Sequence, residues 1–228
     1  MTRLTQTRAG AVLALALFAA PAFADGPAWR GDYVGRLEAL ALLQQLNADL
    51  LSHDSATLTL DRWCASHRLA APAKIVAELD RAEAKPPTDE QRSLLQVGPD
   101  EPVAYRHVRL RCGERVLSEA ENWYVPSRLT PEMNAALAAS DVAFGRAVQA
   151  LGFRRRTLSA KLAWSPLPDG WEMGAAVPAE EPLRPPRTVI EHRAVLTLPN
   201  GVPFSALVEN YTDEVLAFPE PGRSGGAQ

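Results

Sequence analysis

Three stretches of this 228-residue chain place residues where they could act on a small acidic molecule. In YRHVRLRCGERVLSEAENWYV (105–125) one arginine falls on the wrong side of a predicted strand. Alternate side chains of a strand point to opposite faces. His107, Arg109 and Arg111 therefore share one face, and Arg106 joins Val108, Leu110 and Cys112 on the face that a protein buries. A buried guanidinium needs a partner, and a ligand carboxylate supplies a charge-assisted, bidentate one. In SDVAFGRAVQALG (140–152) the start of a predicted helix offers backbone N–H groups suited to an anion. In SALVENY (205–211) Glu209 sits mid-strand between Val208 and Asn210. Each feature has a plain structural explanation: an internal ion pair for Arg106, capping by Asp141 for the helix start, exposure to water for Glu209. Together they offer a cation, backbone donors and a carboxylate, a set that suits a small acid also carrying a hydroxyl.

Other chemistries find no support in the spacing. His53, His67, His107 and His192 show no metal-ligand pattern and no HExxH motif occurs. There is neither a GxSxG nucleophile elbow nor a glycine-rich phosphate loop. No metal or cofactor is expected, and an enzyme built from these residues would work by positioning and electrostatics. With 24 basic and 27 acidic residues the net charge is −3, and the absence of a basic stripe argues against nucleic acid as a partner. Arg154-Arg155-Arg156 is the only basic run; it follows a helical pattern and reads as positive charge at a helix C-terminus.

The elements that must position these residues follow from periodicity and punctuation. A three-residue turn at Gly113, Glu114 and Arg115 sets Cys112 against Val116, Leu110 against Ser118, Val108 against Ala120 and Arg106 against Asn122. It also matches Arg109 with Glu119 and His107 with Glu121 across the ladder. The small residues Ser118 and Ala120 leave room beside Arg106. Leu37, Leu40, Leu43, Leu46 and Leu50 recur at helical spacing over Tyr33 to Leu51. After Ser52-His53-Asp54 a second helix runs from Ser55 to about His67 with Leu58, Trp63 and Cys64 inward. Lys74 to Leu79 is a short strand and Lys85 to Asp89 a loop. Thr130 caps a helix with Pro131 in its first position. Asp141 caps a further helix through Leu151 that Gly152 ends. Arg156 to Ser165 alternates as a strand, and 166–187, rich in proline and glycine, reads as a long loop or lid. Asn200-Gly201 between VLTL and VPFSALVENY is the strongest hairpin signal in the chain. Helices first, then antiparallel strands with helices between them, make an α+β fold.

The N-terminus has its own logic. MTRLTQTR is basic, AGAVLALALFAAPAF is apolar, and Ala22-Phe23-Ala24 has the small-x-small form of a cleavage site, the layout of a secretory leader over residues 1–24. Its apolar run is too short for a permanent membrane span. Cleavage before Asp25 leaves one domain over 25–218 with a disordered tail over 219–228, and removing Arg3 and Arg8 takes the charge to −5. A periplasmic or secreted location is expected. There Cys64 and Cys112 can pair; two buried free thiols are an equally open reading.

Four segments, in order, carry a resemblance. LLSHDSATLTL (50–60), YRHVRLRCGERVLSEAENWYVPSRL (105–129), AFGRAVQ (143–149) and NGVPFSALVENY (200–211) resemble the Leu-rich Asp-Ser stretch, the Arg-bearing hairpin, the Leu-Gly-Arg helix start and the closing hairpin of the chorismate lyase-like fold, shared by chorismate lyase and UTRA domains. The resemblance implies an antiparallel sheet with helices packed on it around an enclosed ligand pocket. It also implies cofactor-free removal of pyruvate from chorismate or a related cyclic carboxylate to give 4-hydroxybenzoate. On that resemblance Arg106 grips a carboxylate, Phe144 and Gly145 present backbone N–H groups, and Glu209 bonds a ring hydroxyl. Ala56 replaces the family's pocket methionine, Phe144 its leucine, and Asn122 an arginine on the return strand. Glu209 lies six residues after Pro203 where the family has five, a shift that turns a strand residue over unless a bulge absorbs it. Three readings follow: an exported lyase, a non-catalytic periplasmic binder of a small aromatic acid, or a fold that has lost its pocket.

Overall fold

A computed structural model describes residues 29–81, 84–139, 141–178 and 182–221. The proposed leader at 1–24 and most of the tail, 222–228, lie outside the described residues. Eleven elements define the fold among the described residues: α1 (Tyr33–Ser52), α2 (Ala56–Ser66), β1 (Ile75–Asp80), α3 (Asp89–Leu95), β2 (Ala104–Cys112), β3 (Arg115–Tyr124), α4 (Pro131–Ala139), α5 (Phe144–Ala147), β4 (Arg154–Leu162), β5 (Thr188–Thr197) and β6 (Pro203–Thr212). The strands form one antiparallel sheet in the order β1-β2-β3-β6-β5-β4. The expected α+β class is therefore the observed one.

Local chemistry explains where the helices begin. Asp32 caps α1 by accepting from the Gly35 N–H at 2.8 Å, and Ser55 caps α2 through Leu58 N–H. Thr88 and Gln91 form a reciprocal capping box at the start of α3. Ala39, Leu43, Leu46 and Leu50 of α1, with Leu60, Trp63 and Cys64 of α2, pack on one face of the sheet against Ile75, Val108, Leu110, Ile190 and Tyr211. Leu37 stays exposed and Leu58 only half-buried, so neither belongs to that core. Leu95 of α3 covers the other face over Trp123, Val195 and Ala206.

Several expectations need correction. The β2–β3 register holds from Arg106↔Asn122 to Leu110↔Ser118, then shifts: Arg111 pairs with Val116 and Cys112 with Arg115. The turn is thus two residues, Gly113-Glu114, and a bulge at buried Leu117 absorbs the difference. Arg109 faces Glu119 and His107 faces Glu121 as expected, but ion pairs on this face also run elsewhere: Arg109 to Glu78 of β1, and Glu119 and Glu121 to Arg187 and Lys85 outside the strands. Asp141 does not cap α5, which has only four residues and starts after Ala143, followed by a 3-10 turn to Leu151 that Gly152 ends. The arginine triplet opens β4 and does not close a helix. No described residue of 166–187 lines the hollow at Arg106; the segment packs on the N-terminal side, where Leu183 N–H donates to Trp29 and Arg36 donates to the Pro166 carbonyl. Beyond Pro219 the chain is still anchored, because Glu220 is buried and accepts from the Arg30 backbone N–H and guanidinium. Cys64 and Cys112 are joined as a disulfide, tying α2 to β2.

Candidate functional site

A hollow, partly open to solvent, lies under α2 and α5 on the face of the sheet that carries Arg106. Its floor crosses five strands: Val108 and Leu110 of β2, Ala120 of β3, Leu207 of β6, Leu196 of β5 and Arg155 of β4. Asp54 to Thr57 and Phe144, Gly145 and Phe153 form the rest of its wall. All six residues singled out from sequence, Ala56, Arg106, Asn122, Phe144, Gly145 and Glu209, line this one hollow.

Arg106 is 4% exposed, and its Nη2 donates to the Val142 carbonyl at 2.8 Å. Burial lowers its pKa against the opposing pull of Tyr124 and Asp141. Asn122, directly across the ladder, accepts from Ser205 Oγ on its Oδ1 at 2.7 Å. That contact turns the amide nitrogen the other way, where among the described residues it is buried with no hydrogen-bond partner. Gly145 is there for closeness: a Cβ would come within 2.8 Å of Ser55 Oγ, so α5 approaches the cap of α2 only because it has none. Phe144 and Gly145 stand in the wall at the start of α5, whose four residues provide little macrodipole.

Glu209 faces inward, pairing with Ala120 on one side and His192 on the other. The six-residue spacing from Pro203 does not turn it out. Irregular pairing where β5 ends and β6 begins, between Leu196 and Thr197, accompanies this placement. Glu209 Oε2 takes both Arg155 Nη2 at 2.5 Å and the Tyr211 hydroxyl at 3.1 Å. The ion pair is almost closed off, with side chains 4% and 8% exposed. Burial works to lower the Arg155 pKa, but Glu209, Tyr211 and Asp54 outweigh it and the net shift is upward. Burial likewise raises the Tyr211 hydroxyl well above the usual tyrosine range.

Arg155 is the member that sequence reasoning missed. The signal was present in the alternation assigned to Arg156–Ser165: carried back two residues, it sends Arg155 to the face opposite Arg154 and Arg156. In the structure those two neighbours are exposed and Arg155 alone enters the hollow. Among the described residues no group of three or more histidines, cysteines or acids comes together to hold a metal. No described helix is long and apolar enough to cross a membrane. The arrangement amounts to apolar walls with a guanidinium and an amide at one end and an Arg–Glu pair at the other.

No family model matches the chain. The uncharacterized protein y4mC of Sinorhizobium fredii is 59% identical over 196 residues, covering 85% of this chain and 83% of that protein. Among solved structures, the effector domain of PhnF from Mycobacterium smegmatis superposes with a TM-score of 0.47 at 14% identity, over 71% of this chain and 90% of that one. The possible transcriptional regulator YydK from Bacillus subtilis gives 0.38 at 18% identity over 62% of this chain, which spans 58% of that regulator.

Proposed function

The chain belongs to one family with y4mC of Sinorhizobium fredii, and we propose that this protein binds a small cyclic or aromatic carboxylate in the hollow between Arg106 and Glu209. One observation carries the reading: Arg106, 4% exposed, stands in the wall of a cavity beside the apolar side chains of Val108, Leu110, Phe144, Phe153, Leu196 and Leu207. Arg106 and the Asn122 amide take the carboxylate, Phe144, Phe153, Leu196 and Leu207 pack on the ring, and Glu209 meets a polar group at the far end. Two charge-assisted bonds made by buried side chains contribute more than the same bonds at a surface.

A finer reading, carried by the resemblance to chorismate lyase, is turnover. Chorismate held in the same orientation would lose its enolpyruvyl group as pyruvate, aromatisation of the ring would drive the reaction, and 4-hydroxybenzoate would remain. Here Arg106 and Glu209 are the candidate catalytic residues and Ala56 widens the wall. The reading includes a periplasmic or secreted location for the domain over 25–218. The leader-like sequence of residues 1–24 and the Cys64–Cys112 bond, a feature of oxidising compartments, support it.

The test uses 4-hydroxybenzoate and chorismate. At a hundredfold excess over Kd, a ligand that binds only the folded state adds about 2.7 kcal/mol of stability, a rise in Tm of about 5–10 °C for a domain of this size. 4-Hydroxybenzoate is expected to produce it in the wild type and not in Arg106→Ala. Release of 4-hydroxybenzoate from chorismate above the uncatalysed rate, lost in Arg106→Ala, would establish the lyase. A wild type whose melting is unmoved by either acid would dismiss the binding reading.

A further inference from the structure

Carboxylate binding at Arg106 leaves the second guanidinium of the hollow without a task. Arg155 enters from β4, three strands beyond the β2–β3 pair that carries Arg106 and Asn122. Its Nη2 is engaged by Glu209, while its Nε is buried and, among the described residues, has no hydrogen-bond partner. Buried donors in folded proteins are seldom left so without a use. Glu209 shows the complementary feature. Both of the hydrogen bonds it accepts, from Arg155 and from Tyr211, fall on Oε2, so Oε1 takes neither. Arg155 and Glu209 both line the far end of the hollow, an ion pair of no net charge that carries one N–H donor and one acceptor oxygen outside those bonds.

A group that satisfies both must donate and accept at once, and a hydroxyl does. A second carboxylate would confront Glu209 as a like charge. An ether has no proton for Oε1, and an unsubstituted ring leaves both atoms unmatched, which a buried polar site penalises. The geometry is set in advance: Asp54 Oδ1 accepts from the Arg155 backbone N–H at 2.8 Å, and the Tyr211 hydroxyl holds Glu209 from below. We propose that Arg155 is the specificity-determining residue of the hollow, selecting acids that carry a hydroxyl at the end away from the carboxylate. It does so through its own Nε–H and through the Glu209 that it positions. This rests on Arg106 as the carboxylate anchor.

Four probes separate the two statements: benzoate, 4-hydroxybenzoate, 4-methoxybenzoate and terephthalate, titrated calorimetrically into the full chain. The wild type is expected to bind 4-hydroxybenzoate about tenfold more tightly than the other three, the ratio of one good hydrogen bond to a charged group. Arg155→Lys keeps a cation beside Glu209 but loses the Nε–H and the rigid fork. It should cut that preference severalfold while leaving benzoate affinity within about threefold of wild type. Arg155→Met, which strands Glu209, should abolish the preference; if it does not fold, the lysine variant decides. A merely structural arginine would weaken all four acids alike. Undiminished preference in Arg155→Lys, or a wild type that binds the four equally, overturns the proposal and leaves the anchor intact. If no probe binds the wild type, the anchor fails and the proposal falls with it.

Discussion

His192 stands directly across the β5–β6 pair from Glu209, fully buried, with Nε2 2.8 Å from Asn47 Oδ1. An amide oxygen only accepts, so Nε2 carries the proton. Nδ1, buried with no partner among the described residues, is then the nitrogen left to protonate. Burial drives the His192 pKa down to about 4, Glu209 pulls against it and Arg155 adds to the depression. The unfolded chain titrates near 6.5, so between that pH and about 4 it takes up a proton that the folded protein refuses. Stability contributed by neutral His192 is complete above about 6.5 and drains away as pH falls, by up to about 3 kcal/mol. Half-buried His67, its pKa also lowered by burial, slopes in the same direction. Urea denaturation at successive pH values should show this loss, and His192→Gln, which can still donate to Asn47, should flatten it. A variant profile parallel to the wild type would mean that His192 does not titrate on unfolding.

At the scale of elements, legibility tracked the range of the interactions. The Asn200-Gly201 hairpin, the leucines of α1 and the Thr130-Pro131 start of α4 are set by neighbours in sequence and could be read there. The inward turn of Arg106 was legible for the same reason, since alternation needs only the strand itself. The β2–β3 bulge was not, because a three-residue turn and a two-residue turn with a bulge place Leu110 and everything before it identically. The capping box of α3 has a local signature, Thr-x-x-Gln, but it directly follows two prolines, which punctuate a loop. Pairing of β3 with β6, which brings Glu209 beside Ala120, joins segments some ninety residues apart and leaves no local trace. The disulfide belongs to this class. It joins residues 48 apart and clamps α2, whose start walls the hollow, to β2, whose strand carries Arg106. Closing a loop of that length contributes about 4 kcal/mol on the chain-entropy account. Cys64→Ser with Cys112→Ser, or reduction of the wild type, should therefore lower stability by about 2–4 kcal/mol in denaturant titrations and weaken 4-hydroxybenzoate along with it. Unchanged affinity in the reduced protein would show that the clamp stabilises the fold without shaping the site.

Across the sheet the β3–β6 pair is a seam: β1, β2 and β3 on one side come from residues 75–124, β6, β5 and β4 on the other from residues 154–212. Arg106 and Arg155 lie on opposite sides of it, and the hollow straddles it. An acid held at one end by Arg106 and at the other by the Arg155–Glu209 pair would cross-link the two halves over the helix-covered face. Backbone amides open in cooperative units whose free energies differ across a structure, so such a cross-link should appear as slowed hydrogen exchange in both halves together. With saturating 4-hydroxybenzoate, protection is expected to rise in β2, in β6 and in the walls at 54–57 and 144–155. It should stay unchanged in α3, on the opposite face, and in 166–178, which contributes nothing to the hollow. Protection confined to one half would mean that the acid spans only one end of the cavity. A gain at 166–178 would mean that this segment opens together with the site that it does not line.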